Sequence, residues 1–237
     1  MKNLAIIPAR LGSKGIPRKN IRLFLGKPLI VYTIEQAKAA GIFDRILVDT
    51  DSELIANIAK KNGAEVPFLR PKELAKDNSS IVDAVLLLID RLKKTGYEPD
   101  VITLLQTTSP LREIADILVC WQKMQKKGVK SVCTVCQSHQ RLYHLAQDGK
   151  LILVNPDSEA GINRQEVEKG YLLNGCMVYM IRLKTFLAIK KFVSSKTFGI
   201  IRPKWRSVDL DEIEDWILAE NIFKIREAIA RRIANFK

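Results

Sequence analysis

Four short stretches of this sequence place anion-binding or metal-binding groups after apolar runs or before a helix. The first is ARLGSKGIPRKN, residues 9–20. The first thirty residues of the chain contain seven basic side chains and no acidic one. Gly12 and Gly15 let the backbone turn with its amides exposed, while Arg10 and Lys19 supply positive charge. This pattern predicts a loop that binds an anion such as a phosphate group.

The loop matches neither of two common phosphate-binding patterns. A Walker loop requires G-x-x-x-x-G-K-[ST] and a dinucleotide loop requires G-x-G-x-x-G, and Gly12 and Gly15 lie too close together to match either. The alternative is a basic surface turn whose glycines serve only the backbone geometry. The position of the loop after a predicted strand and its charge density favour the anion site.

The second stretch, LLQTTSPLR, begins at the end of an apolar run and continues with polar residues and an arginine. Gln106 and the hydroxyl side chains that follow it can hydrogen-bond to a base or a sugar at the mouth of a pocket. The alternative is ordinary helix capping, because Thr-Ser-Pro commonly precedes a helix.

The third stretch, RPKELAKDNSS, combines an arginine with a helix-capping sequence. One of the four residues Asp77–Ser80 is expected to cap the following helix, and Ser80 is suited to that role whatever else it does. Arg70 follows a predicted strand and has no such structural explanation. It is therefore a candidate binding residue.

The fourth stretch, SVDLDEIED, contains two carboxylates two residues apart. If Val208–Asp211 is extended, Asp209 and Asp211 project from the same face and form a site for Mg²⁺, which binds carboxylate and phosphate oxygens. The alternative is that Asp211 and Glu212 stabilise the start of the next helix through its dipole.

The elements that must position these groups alternate between β-branched apolar runs and segments of helical period. That alternation predicts an α/β class with a mostly parallel sheet flanked by helices. We expect one domain over residues 1–237, interrupted at 137–170 by an excursion that is not a helix. Expected strands are 4–8, 45–50, 65–69, 101–106, 131–136, 176–181 and 199–202, and expected helices are 28–40, 52–62, 80–94, 114–127, 184–190 and 212 to the end of the chain.

Composition narrows the class of protein. No stretch approaches the roughly 18 apolar residues of a membrane helix, so we expect no membrane partner. The four cysteines are too few and too scattered for a disulfide scaffold, so we expect a cytoplasmic protein. The formal net charge of +13 suits a polyanionic partner, but no aromatic platform accompanies the charge, so nucleic acid is not the favoured partner. The pair Cys133 and Cys136 lies in a predicted strand, which points the two thiols to opposite faces and disfavours a metal or redox site.

Together these stretches resemble the N-acylneuraminate cytidylyltransferases, the CMP-sialic acid synthetases, with their relatives acting on legionaminic and pseudaminic acids. IIPARLGSKGIPRKN is similar to the first motif of that family. Its later motifs are matched by RILVDTD, FLRPKELAKDNSS, LLQTTSPLR, RQ, NG and SVDLD. The resemblance spans nearly the whole chain, and the order of the motifs is more specific than any one of them.

The resemblance implies a Rossmann-like nucleotide-diphospho-sugar transferase fold, a homodimer formed partly through residues 137–170, and Mg²⁺-dependent transfer of CMP from CTP to an acidic nine-carbon sugar. It assigns catalysis to two cations, Arg10 and Lys19, and to the two metal ligands, Asp209 and Asp211. The implied nucleotide contacts are Arg10, Gly12, Ser13, Lys19, Asn20, Arg70, Ser80 and Gln106, and the implied sugar contacts are Gln106, Arg164, Gln165 and Asn174.

Three other functions remain open from the sequence. A CMP-KDO synthetase is the nearest, although the RKN at residues 18–20 favours the sialic acid type. A basic nucleic-acid-binding protein is the second. A non-catalytic sensor of sugar nucleotides is the third, and the aspartate pair argues against it because a sensor has less need of metal.

Overall fold

The computed structural model describes residues 1–138, 143–154, 170–173 and 177–236. Within this part of the chain the helices match the expected ones closely. They are α1 (Leu29–Ala40), α2 (Glu53–Lys61), α3 (Ile81–Lys94), α4 (Ile114–Met124), α5 (Leu183–Ile189) and α6 (Ile213–Asn235), with short 3-10 helices at Lys19–Ile21, Lys72–Leu74 and Lys204–Arg206.

The strands build one central sheet and two small hairpins. The strands of the sheet are β1 (Asn3–Pro8), β4 (Arg45–Asp49), β5 (Val101–Leu104), β6 (Ser131–Ser138), β9 (Gly170–Leu173), β10 (Tyr179–Arg182) and β11 (Phe198–Arg202). The hairpins pair β2 (Leu23–Phe24) with β3 (Lys27–Pro28), and β7 (Tyr143–Leu145) with β8 (Leu151–Leu153).

The central sheet is mostly parallel, as the alternation of elements predicted. Its order is β11-β6-β10-β5-β1-β4, and β9 pairs with β6 beside that path. β1 pairs parallel with β4 and β5, and β11 pairs parallel with β6. β10 runs antiparallel between β5 and β6, so β1, β4, β5, β6 and β11 share one direction. Their carboxyl ends therefore meet at one edge of the sheet.

Helices cover both faces of the sheet because successive strand residues point to opposite sides. In β1, Ala5 and Ile7 pack with residues of α1, α2 and α4, whereas Leu4 and Ile6 pack with residues of α3 and α5. The four β1 side chains are fully buried. Because both of its faces are buried, β1 lies at the centre of the fold. The loop that follows β1 therefore begins at a fixed position on the edge of the sheet.

A third apolar cluster joins residues 9–28 to the last helix. Phe24 of the β2–β3 hairpin makes edge-on ring contacts with Trp216 and Phe223 of α6, at centroid distances of 5.5 and 5.6 Å. Ile16 and Leu210 are buried in the same cluster. Each such aromatic contact contributes about 1 kcal/mol beyond burial. The cluster brings the basic loop and the aspartate pair into the same region.

The expected strand at 65–69 is wrong. Only Glu65 forms a bridge, with Leu47 of β4, through hydrogen bonds of its backbone to Ile46 and Val48. Pro67 has no amide hydrogen to donate, so pairing with β4 cannot continue past this point. The chain instead turns away and delivers Arg70 to the edge of the sheet.

The structure describes only part of the expected excursion at 137–170. Within that part, β7 and β8 form a hairpin and β9 lies beside β6. Leu145, Leu151 and Ile152 of the hairpin are exposed. Among the described residues, no helix is both long and apolar enough to span a membrane.

Candidate functional site

A cavity of about 560 Å³ opens where β1 and β5 end and where the chain returns after β4. Its volume lies within the usual range for small-molecule sites. Ligands of open α/β sheets bind at this edge, beyond the carboxyl ends of the strands. Seven of the residues predicted from the sequence line it, namely Arg10, Ser13, Lys19, Asn20, Arg70, Gln106 and Asp211.

The other predicted residues are not on this wall. Gly12 is exposed and has no atom within 4 Å of an added Cβ. Ser80 caps α3, its Oγ accepting a hydrogen bond from the amide of Val82 at 3.1 Å, which confirms the capping role. Asp209 does not line the cavity. Arg164, Gln165 and Asn174 lie outside the described residues.

Asn20 ties two walls of the cavity together. Its Nδ2 donates to the carbonyl of Arg10 at 2.8 Å, and its Oδ1 accepts from the hydroxyl of Thr107 at 2.6 Å. The side chain is buried. Asn20 therefore fixes the basic loop against the loop that follows β5, in addition to lining the cavity.

Gly15 is where the basic loop touches the aspartate segment. A Cβ at this position would lie 2.0 Å from the carbonyl oxygen of Asp211. Neither Gly12 nor Gly15 has a positive φ, so the sequence-based expectation that both glycines serve the turn is refined. Gly15 allows two backbone segments to approach closely. Gly12 is required neither for a positive φ nor for a close approach.

Acidic side chains from segments distant in sequence partly neutralise the positive charge of the basic loop. Arg10 donates to the carbonyl of Ala75 at 3.3 Å and pairs with Asp77 at 2.7 Å across the cavity. Asp77, Asp211 and Glu212 all line the cavity. The local sequence, which has no acid in its first thirty residues, gave no signal of these partners.

The aspartate segment forms a tight turn, whereas the magnesium-site interpretation took Val208–Asp211 to be extended as its condition. The amide of Asp211 donates to the carbonyl of Asp209 at 3.1 Å, which closes the turn. Leu210 between them is buried, and its amide donates to the carbonyl of Thr108 at 2.9 Å. The apolar side chain of Leu210 therefore draws the backbone inward.

Lys19 connects the basic loop to this turn. Its Nζ donates to the carbonyl of Leu210 and lies 3.8 Å from Oδ1 of Asp211. Lys19 thus holds a positive charge beside a carboxylate at the cavity wall.

Asp209 is partly buried and has one fully buried carboxylate oxygen. Its Oδ1 has no hydrogen-bond partner among the described residues. Burial raises the pKa of Asp209; a hydrogen bond with Thr108 opposes this, and the charge of Asp211 adds to it. A buried carboxylate oxygen without a donor is stabilised by a cation.

The carboxylate oxygens of Asp209 and Asp211 are of the type that Mg²⁺ prefers. Within the described residues there is no group of three or more His, Cys, Asp or Glu side chains suited to a metal. Mg²⁺ commonly takes one or two carboxylates together with water and phosphate oxygens, so Asp209 and Asp211 are a sufficient protein donor set.

Arg70 reaches the cavity from a buried ion pair with Asp49. Its Nη2 lies 2.7 Å from Oδ2 of Asp49, and the two side chains are 6% and 5% exposed. Burial raises the pKa of the Asp49 carboxyl, and the guanidinium of Arg70 opposes that rise. Sequence analysis found Arg70 but missed Asp49, whose only signal was its position at the end of an apolar run.

A second buried charge cluster anchors the segment that leads to the aspartates. Asp116 of α4 is fully buried, and it accepts hydrogen bonds from Arg206 at 2.6 and 3.1 Å and lies 2.6 Å from Nε of Arg202. Its Oδ2 also accepts from the amide of Glu113 and so caps α4. The cluster fixes the 3-10 helix immediately before the turn.

Comparison with known proteins identifies the family of the chain. Residues 4–222 match the family described as cytidylyltransferase. The chain is 34% identical over 232 residues to the CMP-N,N'-diacetyllegionaminic acid synthase of Legionella pneumophila, covering 96% of this chain and 98% of that protein. It is 33% identical over 233 residues to the pseudaminic acid cytidylyltransferase of Campylobacter jejuni, covering 97% and 100%.

A solved structure shares the fold. The CMP:2-keto-3-deoxy-manno-octonic acid synthetase complexed with CTP superposes with a TM-score of 0.64 at 16% identity, covering 98% of this chain and 100% of that one. This likeness establishes the architecture alone.

Proposed function

The chain belongs to the cytidylyltransferase family, and on that premise we propose that it transfers CMP from CTP to a nonulosonic acid and releases pyrophosphate. The observation that carries the proposal is the convergence of Arg10, Lys19, Arg70 and Gln106 with the Asp211 turn on one cavity. The names of the relatives from Legionella and Campylobacter, both nonulosonic acid enzymes, support the substrate class.

In the proposed reaction the anomeric hydroxyl of the sugar attacks the α-phosphorus of CTP, and the bond to pyrophosphate breaks. Catalysis of this type depends mainly on positioning and on stabilising charge in the transition state. Lys19 and Arg10 would offset the charge that develops on the phosphate oxygens. Because Arg10 is paired with Asp77 before substrate binds, the triphosphate would have to compete with that carboxylate for it.

The remaining wall residues would hold the nucleotide and the sugar. We assign Ser13 to the triphosphate, and Asn20, Arg70 and Gln106 to the rest of the nucleotide. Ser80 contributes by fixing the start of α3 rather than by direct contact. For the sugar we propose the contacts that the resemblance implies, namely Gln106, Arg164, Gln165 and Asn174.

Asp209 and Asp211 would hold Mg²⁺ against the phosphates of CTP. When bound, the ion neutralises phosphate charge and lowers the pKa of the attacking hydroxyl. The contribution of the chain is to keep the two carboxylates adjacent through the Leu210 anchor and the Lys19 contact. His144 is exposed, and we assign it no catalytic role.

We further propose a homodimer in which residues 137–170 form part of the interface. The hairpin β7–β8 exposes Leu145 and Leu151, with 73% and 66% of their surfaces accessible. Adjacent exposed apolar residues of this kind are typical of association surfaces. A homodimer would bury these two leucine side chains at the interface between the copies.

The test is release of pyrophosphate from CTP and Mg²⁺ with a panel of acylneuraminic, legionaminic and pseudaminic acids, and with KDO side by side. We expect turnover with at least one nonulosonic acid and a smaller kcat/KM for KDO. Lys19→Ala is the matched inactive control. Preference for KDO would indicate the alternative enzyme, and CTP binding without turnover would indicate a sensor.

A further inference from the structure

Asp49 is a buried carboxylate beside the cavity that the proposed reaction does not use. It ends β4 and is nearly inaccessible, and it does not line the cavity as Arg70 does. A buried charge is costly to desolvate unless it is paired and hydrogen-bonded. Asp49 therefore requires a paired cation, which Arg70 supplies at the edge of the cavity.

Asp49 occupies two of the three guanidinium nitrogens of Arg70. Nε donates to Oδ2 of Asp49 at 3.0 Å, and Nη2 donates to the same oxygen at 2.7 Å and to the Asp49 carbonyl at 3.0 Å. The backbone is held as well, because the amide of Arg70 donates to the carbonyl of Thr50 at 2.7 Å. Nη1 donates to no group among the residues that the structure describes.

We propose that Asp49 is a positioning residue, which locks the guanidinium of Arg70 so that Nη1 is presented to an acceptor on the bound nucleotide. A planar guanidinium held at two nitrogens has a fixed orientation for the third. Such preorganisation removes the cost of ordering a long side chain during binding. The inference rests on the proposed function, since it takes the nucleotide to be the occupant of the cavity.

Protonation of Asp49 would release this lock. Burial raises the pKa of Asp49 above the ordinary value of a carboxyl group, and the charges that act on it are Arg70 and Arg91, which oppose the rise, and Asp51, which adds to it. As the pH falls, Asp49 therefore becomes neutral at a higher pH than an exposed aspartate. Arg70 then loses its charge-assisted hydrogen bonds.

The experiment compares Asp49→Asn with wild type in steady-state kinetics. We expect KM for CTP to rise about tenfold, while kcat and KM for the sugar stay close to wild type, because a positioned binding group is lost and not a reacting one. Glu65→Gln is the matched control, since it breaks the exposed Arg45–Glu65 pair, in which Nε and Nη2 of an arginine also meet one carboxylate.

A double-mutant cycle with Arg70→Ala isolates the mechanism. If Asp49 acts through Arg70, Asp49→Asn has no further effect on KM for CTP in the Arg70→Ala background. Full additivity of the two changes, or an unchanged KM in Asp49→Asn alone, overturns the inference. Failure of the wild-type protein to bind or use CTP is a different result and overturns the proposed function.

A measurement on wild type covers the case in which Asp49→Asn does not fold. KM for CTP should rise toward acidic pH in wild type and in Glu65→Gln, and this rise should be smaller in Arg70→Ala. The same acid-side rise in Arg70→Ala as in wild type contradicts a role for the Asp49–Arg70 pair.

Discussion

Gly15 is the residue at which the basic loop and the aspartate turn come closest. Any side chain there meets the backbone of Asp211, with a Cβ 2.0 Å from its carbonyl oxygen, so one backbone must move. We expect Gly15→Ala to lower kcat/KM by about 100-fold, because a displacement near 1 Å has effects of that order. Gly12→Ala, in the same loop but with open space around the new carbon, should cost far less. Equal losses in steady-state assays of the two variants would contradict this assignment.

We expect the ionised carboxyl group of Asp209 to lower the stability of the fold while it supports Mg²⁺-dependent activity. Because burial raises its pKa, the folded protein binds this proton more tightly than the unfolded chain, so ionisation of Asp209 lowers stability as the pH rises through that range. Without divalent cations, Asp209→Asn should therefore melt at a higher temperature than wild type at neutral pH, and the difference should vanish below the ordinary carboxyl range. The same variant should lose Mg²⁺-dependent activity.

Thermal melts in EDTA over a range of pH, followed by melts with Mg²⁺, measure both effects. Mg²⁺ should raise the melting temperature of wild type more than that of Asp209→Asn. A variant that melts below wild type at neutral pH without Mg²⁺ would show that Asp209 is a structural group whose charge is already satisfied.

At the scale of elements, the alternation of apolar runs predicted the helices and most strands to within a few residues. The strand predicted at 65–69 was wrong because Pro67 ends the pairing of these residues with β4. For residues 208–211 the sequence left open whether the segment is extended, and the burial of Leu210 accompanies a turn there. Of the cavity residues in loops, five were found by type and charge, namely Arg10, Lys19, Arg70, Gln106 and Asp211, whereas Ser13 and Asn20 came only from the family resemblance. Asp49, Asp77 and Asp116 were missed because each pairs with an arginine 21 to 90 residues away.

Asp116 provides the test at this scale, because it holds α4 to the 3-10 helix that precedes the aspartate turn. Asp116→Asn removes the buried carboxylate that Arg206 and Arg202 share, and Arg206 keeps only the half-exposed Glu113 at 3.3 Å. We expect the free energy of unfolding to fall by about 3 kcal/mol. Asp90→Asn, which breaks the exposed pair with Lys94, is the control and should cost about 0.5 kcal/mol. Urea denaturation measures both, and equal losses would mean that the Asp116 cluster is not an anchor.

At the scale of the whole molecule, the exposed hairpin β7–β8 predicts association. Leu151→Glu should shift the protein from dimer to monomer in light scattering, because a charge would be buried at the proposed interface. Leu54→Glu on α2 changes a side chain that is also largely exposed, at 52% against 66%, and should leave the oligomeric state unchanged. Wild type that is monomeric at high concentration would contradict the proposed dimer.

The cavity at the strand ends, its cations and its aspartate turn are together assigned to nucleotidyl transfer from CTP. The most direct test is phosphorus NMR of a complete reaction with CTP, Mg²⁺ and a nonulosonic acid. Attack at the α-phosphorus predicts equal amounts of pyrophosphate and a CMP–sugar phosphodiester, formed only when both substrates are present. Inorganic phosphate with CDP, or unchanged CTP with every nonulosonic acid tested, would contradict the assignment.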